Sequence, residues 1–159
     1  MEVPVEILRE AEKRGLDIID ILVNAIDKSD PSSGIKIRIE LAKKYLSESK
    51  DYLGRNDAVQ ASEKAYKAVE EVIKALTEKY NTPEYLEAIK AGKWFTYLLQ
   101  KASNTLALTL GDWVAAGWAA AYSLHVWGFH EAKLTVNDMV AYMRVIEDTV
   151  NKAIELLSK

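Results

Sequence analysis

An all-α fold is the prediction for this chain of 159 residues, and three observations support it. Apolar residues recur at steps of three and four positions through most of the sequence, which is the spacing of one helical face. Only seven glycines and three prolines interrupt the chain. No stretch alternates apolar and polar residues between hairpin turns, and neither Asn-Gly nor Asp-Gly occurs. Short connections then predict an up-and-down bundle of about five main helices in residues 35–159, preceded by an N-terminal helix pair in residues 1–34.

Residues 1–34 form a predicted N-terminal extension. Apolar runs occupy residues 5–11 and 16–26, and Gly15 separates them, which predicts a short helix, a glycine stop and a second helix. Serines, a proline and a glycine in residues 29–34 predict a turn. This turn offers a hinge, so two arrangements stay open: the helix pair packs on its own bundle, or it reaches another subunit.

The next two helices are predicted from apolar spacing and end signals. One helical face lies within residues 35–53, and Gly54 ends that helix. Asp57 then offers an N-cap, and Gln60 three positions later resembles the second half of a capping box. The helix that follows should run to about Tyr80. Its buried stripe is expected to comprise Ala58, Ala61, Ala65, Ala68, Val69, Val72 and Leu76.

Three more helix starts are predicted before the last helix. Thr82 is an N-cap and Pro83 the first helical residue, a position where proline fits well. Another helix is expected to begin around Gly92 and to end at Leu110, after which Asp112 caps a tryptophan-rich helix. One face of that helix should be aromatic, with Trp118, Tyr122, His125 and Phe129.

The last helix is predicted from a cap and an uninterrupted apolar repeat. Thr135 caps it, and its apolar residues then repeat by four and three, which is typical of a seam against another helix. The seam should comprise Met139, Met143, Ile146, Val150, Ala153 and Leu157.

Composition excludes several classes of protein. The chain has no cysteine, which removes disulfides, thiolate metal sites and cysteine nucleophiles and fits a reducing compartment. Acidic charge at the N-terminus argues against a cleaved export signal, and the apolar stretch 113–129 is too short for a membrane span. Basic and acidic side chains alternate at a net charge of −3, so no phosphate-binding face is predicted. We therefore expect a cytoplasmic protein with no membrane contact, and a nucleic-acid partner stays open.

His125 and His130 are the only imidazoles in the chain. Five positions apart on an α-helix, they point about 140° away from each other and are not expected to share a metal ion. No glutamate stands three residues before either histidine, as a di-iron bundle requires. The sequence therefore predicts neither a metal site nor a cofactor. We expect His125 to be a core histidine hydrogen-bonded to a neighbour, with a catalytic or ligand role as the alternative, and His130 to be exposed.

Several polar residues have no assigned place in a core or in a catalytic set. They lie early in the helix that follows Asp57, and they are Gln60, Ser62, Glu63 and Lys64. The candidate functional residues are Gln60, Glu63, Lys64, His125, His130 and Glu131. No residue among them is assigned as catalytic, and this face of the helix is where a site is expected.

Residues 56–76, NDAVQASEKAYKAVEEVIKAL, resemble the central signature of the archaeal PaREP family. In that signature a Gly-Asp-x-Val-Gln-Ala-Ser-Glu-Lys segment leads into an alanine-rich helix. The flanking stretches REAEKRGLDIIDIL, ELAKKYLSESKDYL and LHVWGFHEAKLT are also similar to the family. The resemblance covers essentially the whole chain.

That family is grouped with the HEPN helical domains, and the resemblance therefore implies a HEPN-like bundle that forms dimers. Some HEPN proteins are metal-independent ribonucleases that use an arginine, four to six intervening residues and a histidine. This chain departs from the motif, because no arginine lies between Arg55 and Arg144. A cation is needed there to meet the charge that develops on the phosphate.

Two functional hypotheses follow from the sequence. The first is a non-catalytic helical bundle that self-associates, as a dimer, and acts as a binding or scaffold module. The alternative is a HEPN-type RNA-cleaving or nucleotide-binding protein, in which Lys133 or Arg55 supplies the cation. Pairing with a nucleotidyltransferase is a further role that the resemblance implies.

Overall fold

The computed structural model describes all residues, 1–159, and contains eight α-helices and one π-helix without any strand. The predicted all-α fold class is therefore confirmed. The elements are α1 (Val5–Lys13), α2 (Ile18–Ser29), α3 (Ser33–Gly54), α4 (Ala58–Lys79), α5 (Pro83–Ala91), α6 (Thr96–Leu110), α7 (Asp112–Ser123), the π-helix (Leu124–His130) and α8 (Met139–Leu157). No helix combines the length and the apolar character that crossing a membrane requires.

Helix α4 is the centre of the bundle. It contacts every helix from α3 to α8 and the π-helix between α7 and α8. All seven residues of the predicted stripe are buried. The helix also buries side chains outside that stripe, among them Tyr66, Ile73 and the charged Glu71 and Lys74. Because α4 is covered on almost all sides, one amphipathic stripe describes only part of its contacts.

Two of the predicted helix caps form in the structure. Asp57 Oδ1 accepts a hydrogen bond from the backbone N–H of Gln60 at 3.0 Å. The reciprocal half of the capping box is absent, because the Asp57 N–H donates to the carbonyl of Tyr52 instead. Thr82 accepts a hydrogen bond from the N–H of Tyr85, and Pro83 is the first residue of α5.

Two predicted helix starts are wrong. Helix α6 begins at Thr96, because Gly92 adopts a left-handed conformation with φ of 78° and ends α5. Asp112 is the first residue of α7 and caps nothing, since Gly111 occupies the cap position with φ of 120°. The Asp112 carboxylate lies in the first turn, where negative charge meets the positive end of the helix dipole.

Helix α8 forms the predicted seam. The predicted cap is wrong, which makes a third wrong helix start: Thr135 and Asp138 bond each other's backbone N–H groups in a turn, and α8 begins only at Met139. All six predicted seam residues are buried. Gly117 lets α7 approach α8 closely, since a Cβ at this position would lie 2.1 Å from Thr149 Oγ1.

The two N-terminal helices differ in how they attach to the bundle. Helix α2 buries Asp20 and Val23, and the Asp20 carboxylate contacts Lys74 Nζ at 2.9 Å and Arg38 Nη1 at 3.0 Å. Helix α1 buries no residue. In this structure α2 therefore packs on its own bundle, while the apolar side of α1 is uncovered. The division of the chain into units at residue 34 stays a prediction.

A buried ionic cluster joins α2, α3 and α4. Arg38 Nη1 lies 2.7 Å from Glu71 Oε2, in addition to its contact with Asp20. Burial lowers the pKa of Lys74, but Glu70, Asp20 and Glu71 outweigh burial and raise it above its ordinary value. Burial opposes the charge of Arg38 as well, and Glu71 and Asp20 again raise its pKa. Each buried cation is thus held by carboxylates on neighbouring helices.

Candidate functional site

The candidate site begins with a local change of helix type after α7. Residues 124–130 continue the helical path as a π-helix, in which backbone bonds join residues five apart. The same spacing closes the segment, where the N–H of Glu131 donates to the carbonyl of Val126 at 2.8 Å. Ala132 follows with a left-handed φ of 52° and ends the helical path.

Close packing against α4 holds the π-helix in place. Gly128 faces Ser62, and a Cβ at Gly128 would lie 2.1 Å from Ser62 Oγ. Ser62 is fully buried, and its hydroxyl donates to the carbonyl of Ala58 at 2.7 Å. The absence of a side chain at Gly128 therefore lets the π-helix lie directly on the first turns of α4.

This packing brings three of the predicted candidate residues together. His125 Nδ1 lies 2.9 Å from Glu63 Oε2, and His125 Nε2 lies 3.1 Å from His130 Nε2. The expectation that the two imidazoles point apart is therefore wrong. It assumed α-helical geometry, whereas π-helical winding places residues five apart on the same side. His125 is hydrogen-bonded to a neighbour as expected, but its side chain keeps 21% exposure, and His130 is exposed.

The hydrogen bonds define which nitrogens carry protons when both imidazoles are neutral. The Glu63 carboxylate can only accept, so His125 Nδ1 carries the hydrogen and His125 Nε2 has a free lone pair. His130 Nε2 then donates to His125 Nε2, which leaves His130 Nδ1 with a lone pair at the exposed end. The three side chains form a chain of proton donors and acceptors that leads from α4 to the surface.

Aromatic rings support His125 from the side of the core. The ring of Tyr66, on α4, stacks on the imidazole of His125 with centroids 4.1 Å apart. Tyr66 is buried, and burial together with the nearby Glu70 and Glu63 raises its pKa far above the ordinary value. The ring of Phe129 is nearly parallel to the same imidazole, with centroids 6.2 Å apart. The predicted aromatic face continues along α7, where Trp118 and Tyr122 stack at 5.9 Å.

The other predicted candidates lie outside this group. Gln60 and Glu131 are exposed, and neither side chain makes a hydrogen bond or an ion pair within the chain. Lys64 Nζ pairs with Glu48 at 2.8 Å and lies over the ring of Tyr45. Its charge is therefore engaged away from the histidines.

Neither substitute cation reaches the histidines. The Arg55 guanidinium lies over the ring of Tyr52 at 5.4 Å. The side chain of Lys133 is exposed and forms no ion pair. The hydrogen bonds of the two imidazoles therefore involve Glu63 and each other, and neither Arg55 nor Lys133.

Sequence reasoning named Ser62 as a polar residue without an assigned place, and it missed the part that Tyr66 and Gly128 play in positioning this group. Tyr66, Ser62 and Gly128 each contact it or fix its backbone, and they belong to two stretches far apart in the sequence. Those are the stretches on which the family resemblance depends, residues 56–76 and 124–135. Their joint occurrence is the signal that points to a contact between them.

Glu63, His125 and His130 contact one another in series, and the side chains of Glu63 and His130 each form a hydrogen bond only with His125. His125 stands between its two partners and contacts each through a different nitrogen. No group of three or more His, Asp or Glu side chains converges on one point as a closed metal site requires. As it stands, the group can hold a proton and pass it along the chain of contacts.

Comparisons with known proteins agree with the resemblance in the sequence. A crystal structure of a protein from Sulfolobus solfataricus is similar at 35% identity and a TM-score of 0.67, covering 72% of this chain and 94% of that one. A solution structure of the same target is similar at 34% identity and a TM-score of 0.64, covering 72% and 89%. No curated protein matches the chain significantly. The model of the archaeal PaREP1/PaREP8 family matches residues 37–150, so the chain belongs to that family.

Proposed function

We propose that this protein is a HEPN-like helical bundle that forms a dimer and acts as a non-catalytic binding or scaffold module in the cytoplasm. The observation that carries the proposal is an uncharged, uncovered face between α7 and α8. The lack of cysteine supports a reducing compartment such as the cytoplasm.

The face contains a groove of about 380 Å³. Six of its seven lining residues are apolar, and the seventh is a serine. The lining comprises Ala116, Ala119, Ala120, Ser123, Ala141, Tyr142 and Val145. The groove is therefore a place where a helix of another molecule would bury apolar surface without burying charge.

A second copy of this chain is the partner that the shape of the face favours. Alanines on α7 line the groove together with Tyr142 and Val145 on α8. Tyr122 and Trp127 are 41% and 54% exposed at the adjoining end. A two-fold dimer needs one surface that offers both a hollow and a projection, because each copy supplies both to the other. Aromatic side chains are also enriched at the core of such interfaces.

Light scattering coupled to size exclusion tests the dimer. We expect the wild-type protein to have twice the 17.9 kDa mass of one chain over a wide concentration range. Ala119→Glu and Val145→Glu should each yield the monomer, because each copy would bury an unpaired carboxylate in the interface. Leu108→Glu is the matched control, since Leu108 is 91% exposed on α6 outside this face.

A monomeric wild-type protein at all concentrations would contradict the proposal. If that monomer copurifies with a nucleotidyltransferase, identified by mass spectrometry of a pull-down, the face belongs to a different partner.

RNA cleavage is the second candidate, and the contact between His125 and His130 favours it. The outward Nδ1 of His130 is oriented through His125 by the Glu63 carboxylate, as a general base requires. Purified protein incubated with RNA, beside His125→Ala and His130→Ala, tests the idea. Loss of cleavage in both variants is expected from such a site. Equal cleavage by the wild type and both variants would show that the RNA is cleaved by a contaminating nuclease and not by the histidines.

A further inference from the structure

We propose that His125 and His130 together bind one divalent transition-metal ion through their Nε2 atoms, in an open site that Glu63 orients. The ion would be of the class that imidazole prefers, Zn²⁺, Ni²⁺ or Cu²⁺. This inference does not depend on dimerisation or on RNA cleavage.

The distance between the two nitrogens fits a shared ion. In protein sites the bond from zinc to a histidine nitrogen is about 2.0–2.1 Å. Two such bonds place the nitrogens about 3.3 Å apart at a tetrahedral angle and about 2.9 Å apart at a right angle. His125 Nε2 and His130 Nε2 are 3.1 Å apart, between these two values. An ion bound to both nitrogens therefore needs little change in the distance between them, and each imidazole would turn so that its lone pair points to the ion.

The Glu63 carboxylate prepares His125 for this role. Metal-binding histidines commonly donate their other ring N–H to a carboxylate, which fixes the tautomer and makes the free nitrogen a better ligand. Glu63 Oε2 accepts from His125 Nδ1 at 2.9 Å, so the lone pair of His125 is on Nε2. His130 donates through Nε2 in the free protein and would move that hydrogen to Nδ1, which water reaches because the residue is exposed.

The remaining coordination positions face outward. The stacked rings of Tyr66 and Phe129 flank the inner imidazole, His125. His130 is exposed, so water or a small ligand can complete the coordination of an ion held between the two histidines. Two protein ligands without a carboxylate in direct contact do not suit Mg²⁺ or Ca²⁺, which prefer oxygen. The site would thus be an open one that distinguishes transition metals from alkaline-earth ions.

Calorimetric titration of the full-length, chelator-treated protein with ZnCl₂ and NiCl₂ tests the site. We expect one ion per chain for the wild type, and no binding at the same concentrations for His125→Ala or His130→Ala. Glu63→Gln should weaken binding by about 10- to 100-fold, the usual effect of losing a carboxylate behind a metal-binding histidine. Glu87→Gln is the matched control, since Glu87 is exposed on α5, outside the candidate site, and it should bind as the wild type does.

Nitrogen NMR of the imidazoles locates the ion independently of affinity. Zinc should shift the Nε2 resonances of both histidines, while His125 Nδ1 keeps its attached hydrogen. Circular dichroism of each variant without metal checks that the fold is intact. Wild-type protein that binds no zinc, an ion that persists in the His125→Ala/His130→Ala double variant, or equal binding of MgCl₂ would each overturn the proposal.

Discussion

At the scale of single residues, the candidate site depends on glycine at position 128, which has no side chain to keep the π-helix away from α4. Gly128 allows the π-helix to contact Ser62, and this contact places His125 beside Glu63. The imidazole pair is therefore a consequence of packing between two segments that are 62 residues apart in the sequence. A substitution that fills the space at Gly128 should disturb both the stability and the site.

Gly128→Ala is expected to lower the free energy of unfolding by about 1–3 kcal/mol, because the added methyl overpacks the contact with Ser62. Ser62→Gly should restore part of this loss by making room, so the two changes are expected to be non-additive in a double-mutant cycle. Urea unfolding of the two single variants and the double variant measures the coupling. Strictly additive losses would mean that the two residues do not share this contact.

The buried ionic cluster sets a second expectation at this scale. Arg38→Ala should destabilise the protein by about 3–5 kcal/mol, because it removes one partner of buried ion pairs and leaves Glu71 without its nearest cation. Lys44→Ala is the matched control, since the Lys44 side chain is 68% exposed and its ion pair with Glu48 is long at 3.9 Å. The control should change stability by no more than about 0.5 kcal/mol. If urea unfolding gave similar losses of unfolding free energy for both variants, the buried ion pairs of Arg38 would not be the cause of the larger effect expected.

At the scale of helices, two N-caps and one apolar repeat are predicted correctly from neighbouring residues alone. Asp57 and Thr82 cap their helices as the sequence indicates, because a cap needs only a side-chain oxygen and a backbone N–H a few residues away. The repeat of α8 is buried throughout for a similar reason: its period alone defines one face. All the residues needed for these predictions lie within one helix or next to its end.

The separation of the two histidines was wrong because it required knowledge of another segment, whereas the helix starts at Gly92 and Asp112 were wrong because of local glycine conformation. A π-helix has no spacing of its own in the sequence, and the one found here is held by contact between Gly128 and Ser62. Without it, α-helical geometry turns His125 and His130 about 140° away from each other. Similarly, the periodicity of α4 does not show that Asp20 reaches the buried Lys74 from α2. Composition and periodicity predict the faces of one helix. The surroundings of His125, His130 and Lys74 depend instead on residues of other helices.

The attachment of α2 to α4 should depend on pH. Burial, together with Asp27 on α2, raises the pKa of Glu78 to about 7, while Arg38 and Tyr85 act in the opposite direction. The folded protein therefore keeps the Glu78 proton up to about pH 7, whereas the unfolded chain loses it near its ordinary pKa of 4.5. Because the folded state binds more protons in this interval, its stability should fall as the pH rises from 4.5 to 7.

Glu78→Gln tests this dependence, since the amide cannot ionise. The melting temperature of the variant should decline less than that of the wild type between pH 4.5 and pH 7 and should exceed it at pH 8. Glu87→Gln is the matched control, because Glu87 is exposed on α5 and should behave as the wild type does. Parallel curves for Glu78→Gln and wild type would show that Glu78 does not retain its proton on folding.

At the scale of the whole molecule, two uncovered apolar surfaces bear on self-association, the groove between α7 and α8 and the apolar side of α1. The helices that form these two surfaces differ in how many residues they contribute to the core. Helices α7 and α8 contribute to the core, with Trp118 and Ile146 almost fully buried. Helix α1 is nine residues long and buries none of them. A helix of that length is marginal in water by itself, so its stability must come from contacts.

Removing α1 separates its role from that of the groove. If the dimer forms through α7 and α8, a chain that starts at Leu16 should keep the wild-type free energy of unfolding within about 0.5 kcal/mol, because no buried side chain is lost. It should also keep the dimeric mass in light scattering. Asp17 and Asp20 remain in this shorter chain, so the cap of α2 and its buried ion pairs are intact. A shorter chain that is monomeric, with its fold preserved by circular dichroism, would instead place α1 across the subunit boundary, where Ile7 and Leu8 would find the apolar partner that they lack within one chain.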